Sequence, residues 1–278
     1  MTDNPDAARP PRSRRRGSGR RALLAALATA CLPLSACTAA GGDTSGAAAP
    51  APGASAGNSA MDIALPQAIL NLPLEDSSGH PAALSSFKGK ILVINDVMTL
   101  CQETCPLDTA DLVQAARAVQ KAGLGDRVEF LSITIDPQRD TTAQLAAYRR
   151  LYAPAPADWA ILTGPAQDLA TLWHNFGVWI QKVPEGAVPA KNWLTGAPLT
   201  YDLNHSDDVF FIDGDGHEQT LLDGPAHVEQ GTALPSALRS FLNDNGRQNL
   251  DHPGGDAWTT QQALQIVSGL VHKPIPLS

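Results

Sequence analysis

Two cysteines four positions apart, Cys101 and Cys105 in "MTLCQETCPLDT", are the residues best placed for chemistry in this 278-residue chain. Their types allow three readings: a redox couple, part of a metal site, or core packing. A disulfide across so short a loop gains little chain entropy, so the close spacing favours chemistry over stapling. The separation is Cys-x3-Cys, one residue longer than the Cys-x2-Cys of common redox motifs. Two thiolates in one turn offer soft ligands that suit Cu(I) or Zn(II), and they leave a third position open. Pro106 fits the first turn of a helix and disfavours helical geometry at the residue before it. That predicts Cys105 at a helix N-cap and Cys101 in the loop before it, beside free N–H groups and the positive end of the helix dipole. Such a place favours thiolates.

The elements that would position this pair are readable on either side of it. "KILVINDVM" is an unbroken β-rich run, as expected of a central strand buried on both faces. "PLDTADLVQAARAVQKAG" puts Leu112, Val113, Ala116 and Val119 on one helical face and ends at Gly123. "VEFLSITID" reads as a second buried strand, which completes a βαβ unit with a parallel pair. Upstream, "LPLEDSSGHPAALSSFKGK" predicts a hairpin-like entry around the turn cluster "DSSGHP". Downstream come a helix in "TTAQLAAYRRLY", a short strand in "DWAILTG", and a helix in "PAQDLATLWHNFG" with Pro165 near its start. A β-hairpin follows in "DVFFID", "GDG" and "HEQTLLDG", and a closing helix in "LPSALRSFLND". The fold class is α/β: a thioredoxin-like central sheet flanked by helices, with an inserted loop and a β-hairpin. In this order the cysteines fall at the C-terminal end of a central strand, where ligands of α/β sheets bind.

With no further cysteine in the folded part, a third ligand would come from the seven histidines. His205 stands out. It lies in "TYDLNHSDDVFFIDGDG", just before a predicted core strand, at the end of the excursion "GVWIQKVPEGAVPAKNWLTGAPLTYDL". Long loops in compact domains tend to be functional. Other features have plainer readings. "DGDG" at 213–216 is a β-turn rather than a calcium loop, which needs a longer run of ligands. Asp207 and Asp208 are charged residues flanking a strand and are expected to be solvated. Met98 is expected to pack rather than to ligate.

The chain begins with "RSRRRGSGRR", then "ALLAALATACLPL" and "SAC", the layout of an export signal. Its apolar run is too short to span a membrane as a helix. "LSAC" is similar to a bacterial lipobox, which makes Cys37 the expected lipidation site and residues 1–37 a lipoprotein leader. Residues 38–60, rich in Gly, Ser, Ala and Pro, form an expected flexible tether. A folded domain over 61–246 and a C-terminal extension over 247–278 follow. The leader carries seven Arg and two Asp, so of the formal net charge of −8 the rest of the chain carries −13. That balance excludes nucleic acid as a partner, since its binding needs a basic footprint.

Three blocks in order give the chain a resemblance to the SCO/SenC family of copper-binding assembly factors for cytochrome c oxidase: "CQETCP", "ITIDPQRDT" and "NHSDDVFFIDGDG", across about residues 65–243. The resemblance implies a site for Cu(I) or Cu(II) made by Cys101, Cys105 and His205. It also implies a metallochaperone that delivers copper to the dinuclear centre of a respiratory oxidase subunit. A copper donor protein, and a lipid anchor on the extracytoplasmic face of a bacterial membrane, complete that picture. The family usually has Asp where Asn204 stands. Asp136, Arg139 and Asp140 of the second block are expected to enter a helix and form ion pairs that position the loop near the site. A competing function uses the same cysteines catalytically: thiol-disulfide exchange reducing the oxidase subunit, with Cys101 attacking, Cys105 resolving and a disulfide bond between them as product. Peroxide reduction is a third, needing only one reactive thiol. The discriminator is His205, which a redox couple does not require.

Overall fold

The structure is a computed structural model and describes residues 61–229, 232–254 and 257–277. The leader with Cys37 and the tether lie outside the described residues. Among those described, no helix is long and apolar enough to cross a membrane.

The entry segment gives β1 (Ile63–Ala64), α1 (Gln67–Leu70), β2 (Leu74–Asp76) and β3 (Pro81–Ala82). The last two pair antiparallel around the "DSSGHP" turn, as the turn residues predicted. Then come β4 (Ile91–Val97), α2 (Cys105–Lys121), β5 (Val128–Thr134), α3 (Thr142–Leu151), β6 (Trp159–Thr163) and α4 (Ala166–Phe176). All seven residues of β4 and of β5 are buried, which is why both read as β-rich runs without strict polar–apolar alternation. The strands β4, β5 and β6 run parallel, with Ile94 beside Leu131 and Leu131 beside Ala160. Helix α2 ends in a Schellman motif: Leu124 N–H reaches Val119 O (3.1 Å), Gly123 N–H reaches Gln120 O (3.0 Å), and Gly123 takes φ +71°.

The excursion after α4 differs from the expected loop. It folds into an antiparallel ribbon of β7 (Ile180–Pro184) and β8 (Tyr201–His205), in which Ile180 pairs with His205. Its strands carry Lys, Gln, Asp and Pro and no apolar run, so the pattern gave no strand signal; pairing between the two legs supplies the order. The hairpin of β9 (Asp208–Ile212) and β10 (His217–Asp223) follows as predicted, with "DGDG" as its turn. The complete sheet has the order β1-β10-β9-β4-β5-β6-β2-β3, with β9 antiparallel to β4.

The C-terminal region forms α5 (Ser236–Phe241), α6 (Asp244–Asp251) and α7 (Thr260–Val271). The expected closing helix is thus only six residues long, and α6 runs across positions 246 and 247. Helix α7 starts in a capping box between Thr259 and Gln262 and packs against α2. Its Ala263, Leu264, Val267 and Val271 are buried, at the i, i+1, i+4, i+8 spacing of one helical face. Each buried Leu or Val there contributes about 1.5–3 kcal/mol of transfer free energy. Asp108 and Asp111 of α2 are buried too, Asp108 against Ala226 and Asp111 beside Thr260 of α7.

Candidate metal centre

The first two donors come from the β4–α2 connection. A turn with Cys101 N–H on Met98 O (3.0 Å) leads out of the strand, and α2 begins at Cys105 itself. The N-cap is therefore Thr104, and Cys105 lies one position further in than the proline rule suggested. Pro106, which donates no hydrogen bond, fills the next position, so the first turn is still opened by the residues expected. Both thiols are free, with Cys101 5 % and Cys105 0 % exposed.

The third donor arrives from the ribbon. At the end of β8, His205 points its Nε2 at Cys105 Sγ, 3.6 Å away, from 100 positions along the chain. The two sulfurs and an imidazole nitrogen all lie within 4.8 Å of one another. The other ring nitrogen fixes the tautomer: Nδ1 donates to Ser206 O (2.5 Å), which is only an acceptor, so Nδ1 carries a proton and Nε2 of the neutral ring is bare. Asp96 Oδ2 lies 2.7 Å from Nδ1 as an ion contact beside that hydrogen bond.

Charges in this pocket are coupled. The hydrogen bond from Cys105 draws Cys101 well below the ordinary thiol range, against the effect of burial, and His205 lowers it further. Burial and the neighbouring Cys101 sulfur push Cys105 well up. The two shifts run in opposite directions, so Cys101 is the sulfur that gives up its proton more readily. A backbone N–H from Glu103 supports the Cys101 sulfur at 3.4 Å. For His205, burial works toward the neutral ring, but Asp96 and Cys101 outweigh it and raise its pKa well above the ordinary value. Those neighbours favour a proton on Nε2 facing the sulfurs, and a bound cation would take its place.

The "DPQRDT" block ties the two halves of the site together, as its expected positioning role requires. Asp140 accepts from Thr99 N–H (3.2 Å), the Thr99 hydroxyl and the Thr134 hydroxyl (2.6 Å), and burial pushes its pKa up to about 7. Arg139 pairs with Asp136, donates to Met98 Sδ (3.2 Å) and to Tyr201 O (2.5 Å), and stacks over the Tyr201 ring. One guanidinium so joins the cysteine loop to the strand that carries His205. Trp193, within the excursion, adds a bond from Nε1 to Thr99 O (2.7 Å). Met98 is buried and serves as an acceptor in this packing.

Two carboxylates behind the site, Asp96 and Asp108, escaped the sequence reading, and a third, Asp207, was misread. Asp96 is buried in mid-sheet and accepts Asp208 N–H (3.1 Å), linking β4 to β9. Asp108 is also buried, accepts Ala226 N–H (2.6 Å), and has its pKa raised well above the carboxylate range by burial and by Asp207. Asp207, expected to be solvated, is instead packed inward, and burial pushes it up to about 6. Asp208 is half-buried and also lies at about 6, chiefly through burial. Asn204, at the position where an acid was the family expectation, is exposed. The carboxylate beside the histidine comes from β4, not from its chain neighbour. The one sequence signal was a charge inside "ILVINDV", a strand otherwise without one.

A profile of the SCO1/SenC family matches residues 71–238, and the chain belongs to that family. Among its relatives, the mitochondrial SCO2 homolog of Bos taurus is 27 % identical over 143 residues, covering 51 % of this chain and 49 % of that protein. A protein of Stutzerimonas stutzeri named as a putative copper-binding protein is 27 % identical over 181 residues, 65 % of this chain and 79 % of its own length. Among solved structures, copper-bound ScoI of Bradyrhizobium japonicum is similar at 23 % identity and a TM-score of 0.46, over 64 % of this chain and 97 % of that one. The chain spans about half the length of the mitochondrial relative.

Proposed function

We propose that this protein binds copper as cargo through Cys101, Cys105 and His205 and hands it on to the dinuclear copper centre of a respiratory oxidase subunit. The observation that carries the reading is the convergence of two free thiols and the Nε2 of a buried histidine from distant parts of the chain. Two sulfurs and one imidazole fit copper by donor chemistry: thiolates favour Cu(I), and the nitrogen also suits Cu(II). Family membership and the naming of the Stutzerimonas relative as a putative copper-binding protein support the same cargo. Three protein donors leave coordination open to an incoming ligand, which a carrier needs for release. A copper donor protein would load the site.

The location follows from the leader: lipidation at Cys37 after residues 1–37, a swinging tether over 38–60, the copper domain over 61–246 and an extension over 247–278 would hold the site near an extracytoplasmic membrane face. Thiol-disulfide exchange is supported as a second reading by two free neighbouring thiols, of which Cys101 is shifted down and Cys105 up. In that step Cys101 thiolate attacks one sulfur of an acceptor disulfide, and the other acceptor sulfur leaves. Cys105, losing its proton, then displaces the second sulfur, leaving a reduced acceptor and a Cys101–Cys105 disulfide. The two readings separate on His205. Anaerobic titration of the reduced full chain with Cu(I), with metal measured after dialysis, is expected to give one copper per chain; none retained contradicts the copper reading.

A further inference from the structure

Two of the three half-buried residues between the cysteines, Gln102 and Glu103, are gripped by a segment beyond the matched family profile. Gln102 O accepts the Asn243 N–H at 3.1 Å. Glu103 Oε1 accepts from Asn243 Nδ2 (2.7 Å) and from Asn245 Nδ2 (3.1 Å). Asn243 also caps α6, its Oδ1 accepting Gly246 N–H at 2.8 Å. Gly246 sits so close that a Cβ on it would lie 2.1 Å from Gln102 O, a backbone atom that cannot swing aside. Within helix α6 Gly246 is the only buried residue, and Leu250 packs half-buried against the core. The helix start spends its polar contacts on Gln102 and Glu103. Those contacts fix the loop whose Glu103 N–H supports the Cys101 sulfur.

We propose that residues 243–246 act as a latch on the Cys101–Cys105 loop, positioning the two sulfurs against His205 and so setting copper affinity. The inference rests on the copper reading above and deepens it. Groups that orient metal ligands without touching the metal change affinity by about 10–100-fold when removed. The lock is polar and local, so it can be broken without removing a core residue.

The test is an affinity series on the full chain, measured by anaerobic competition with a Cu(I) chelator. Asn243→Asp keeps an oxygen to cap α6 but replaces the donor to Glu103 with a second carboxylate. It should weaken copper binding about ten-fold or more, with the unfolding midpoint little changed. Adding Glu103→Gln, which supplies a donor toward the new carboxylate, should restore affinity; simple loss of folding would not be rescued in this way. Gly246→Ala should weaken binding through displacement of the loop. Wild-type affinity in both Asn243→Asp and Gly246→Ala, with one copper still bound, overturns the latch and leaves the copper reading standing. If the wild-type chain retains no copper, the copper reading fails and the latch is decided by the dithiol–disulfide equilibrium in a glutathione buffer. There both variants should move several-fold toward the disulfide as the Cys101 thiolate loses its Glu103 N–H, and no movement overturns the latch.

Discussion

Asp96 and His205 meet across 109 positions of sequence, and their contact decides what the imidazole can do. With Ser206 O holding the Nδ1 proton and Asp96 stabilising positive charge on the ring, Nε2 is presented to sulfur or metal. Asp96→Asn keeps an oxygen for Asp208 N–H but removes the charge. We expect the His205 pKa to fall in that variant, read from its ring resonances by NMR titration, and copper affinity to drop about ten-fold. An unchanged His205 titration would remove Asp96 from the account. At this scale the sequence was legible for residue types and spacing. Cys-x3-Cys-Pro pointed to both sulfurs, and the histidine before the hairpin to the nitrogen. Asp96 was hidden because one acid in a buried strand carries no local sign of its partner, and Asp207 was misread because burial of a flanking charge depends on α2 and its neighbours.

Elements were more legible than their contacts. Unbroken β-rich runs gave β4 and β5, and a proline and a glycine bracketed α2. The β7–β8 ribbon was missed, since its order comes from cross-strand pairing and from Tyr201, whose ring lies against Arg139 and Lys182. The helical pattern of α7 was visible, and the structure supplies its seat on α2, the helix that starts at Cys105. Leu264, fully buried at that seat, is the direct probe: Leu264→Ala should cost about 2–5 kcal/mol of stability, measured by urea unfolding. A cost near zero would mean that α7 adds nothing to the fold around the site.

The whole molecule carries net negative charge and buries several carboxylates, so its stability must depend on pH. Asp111 lies between α2 and α7, with neither oxygen hydrogen-bonded among the described residues, and burial raises it from 3.8 to about 7. Between those values the unfolded chain has released a proton that the folded chain keeps. Its contribution is therefore fully present below about pH 4 and is lost as pH rises to about 7, on the order of 4 kcal/mol. Urea unfolding of the wild-type chain at pH 4.5 and 7.5 should show that decline, and Asp111→Asn should make it shallower. An equal slope in the variant would assign the dependence to other groups, such as Asp158, which burial raises to about 6.

All of these effects bear on one arrangement, the candidate copper site assembled from a strand end, a helix start and a ribbon. Its most direct test is anaerobic Cu(I) titration of the reduced full chain beside His205→Ala, with reaction of the thiols toward a small disulfide measured on the same samples. We expect one copper per wild-type chain, loss of stoichiometric binding in His205→Ala, and thiol exchange retained in both. Unchanged copper affinity without the histidine would contradict the three-donor site and leave Cys101 and Cys105 as a redox couple.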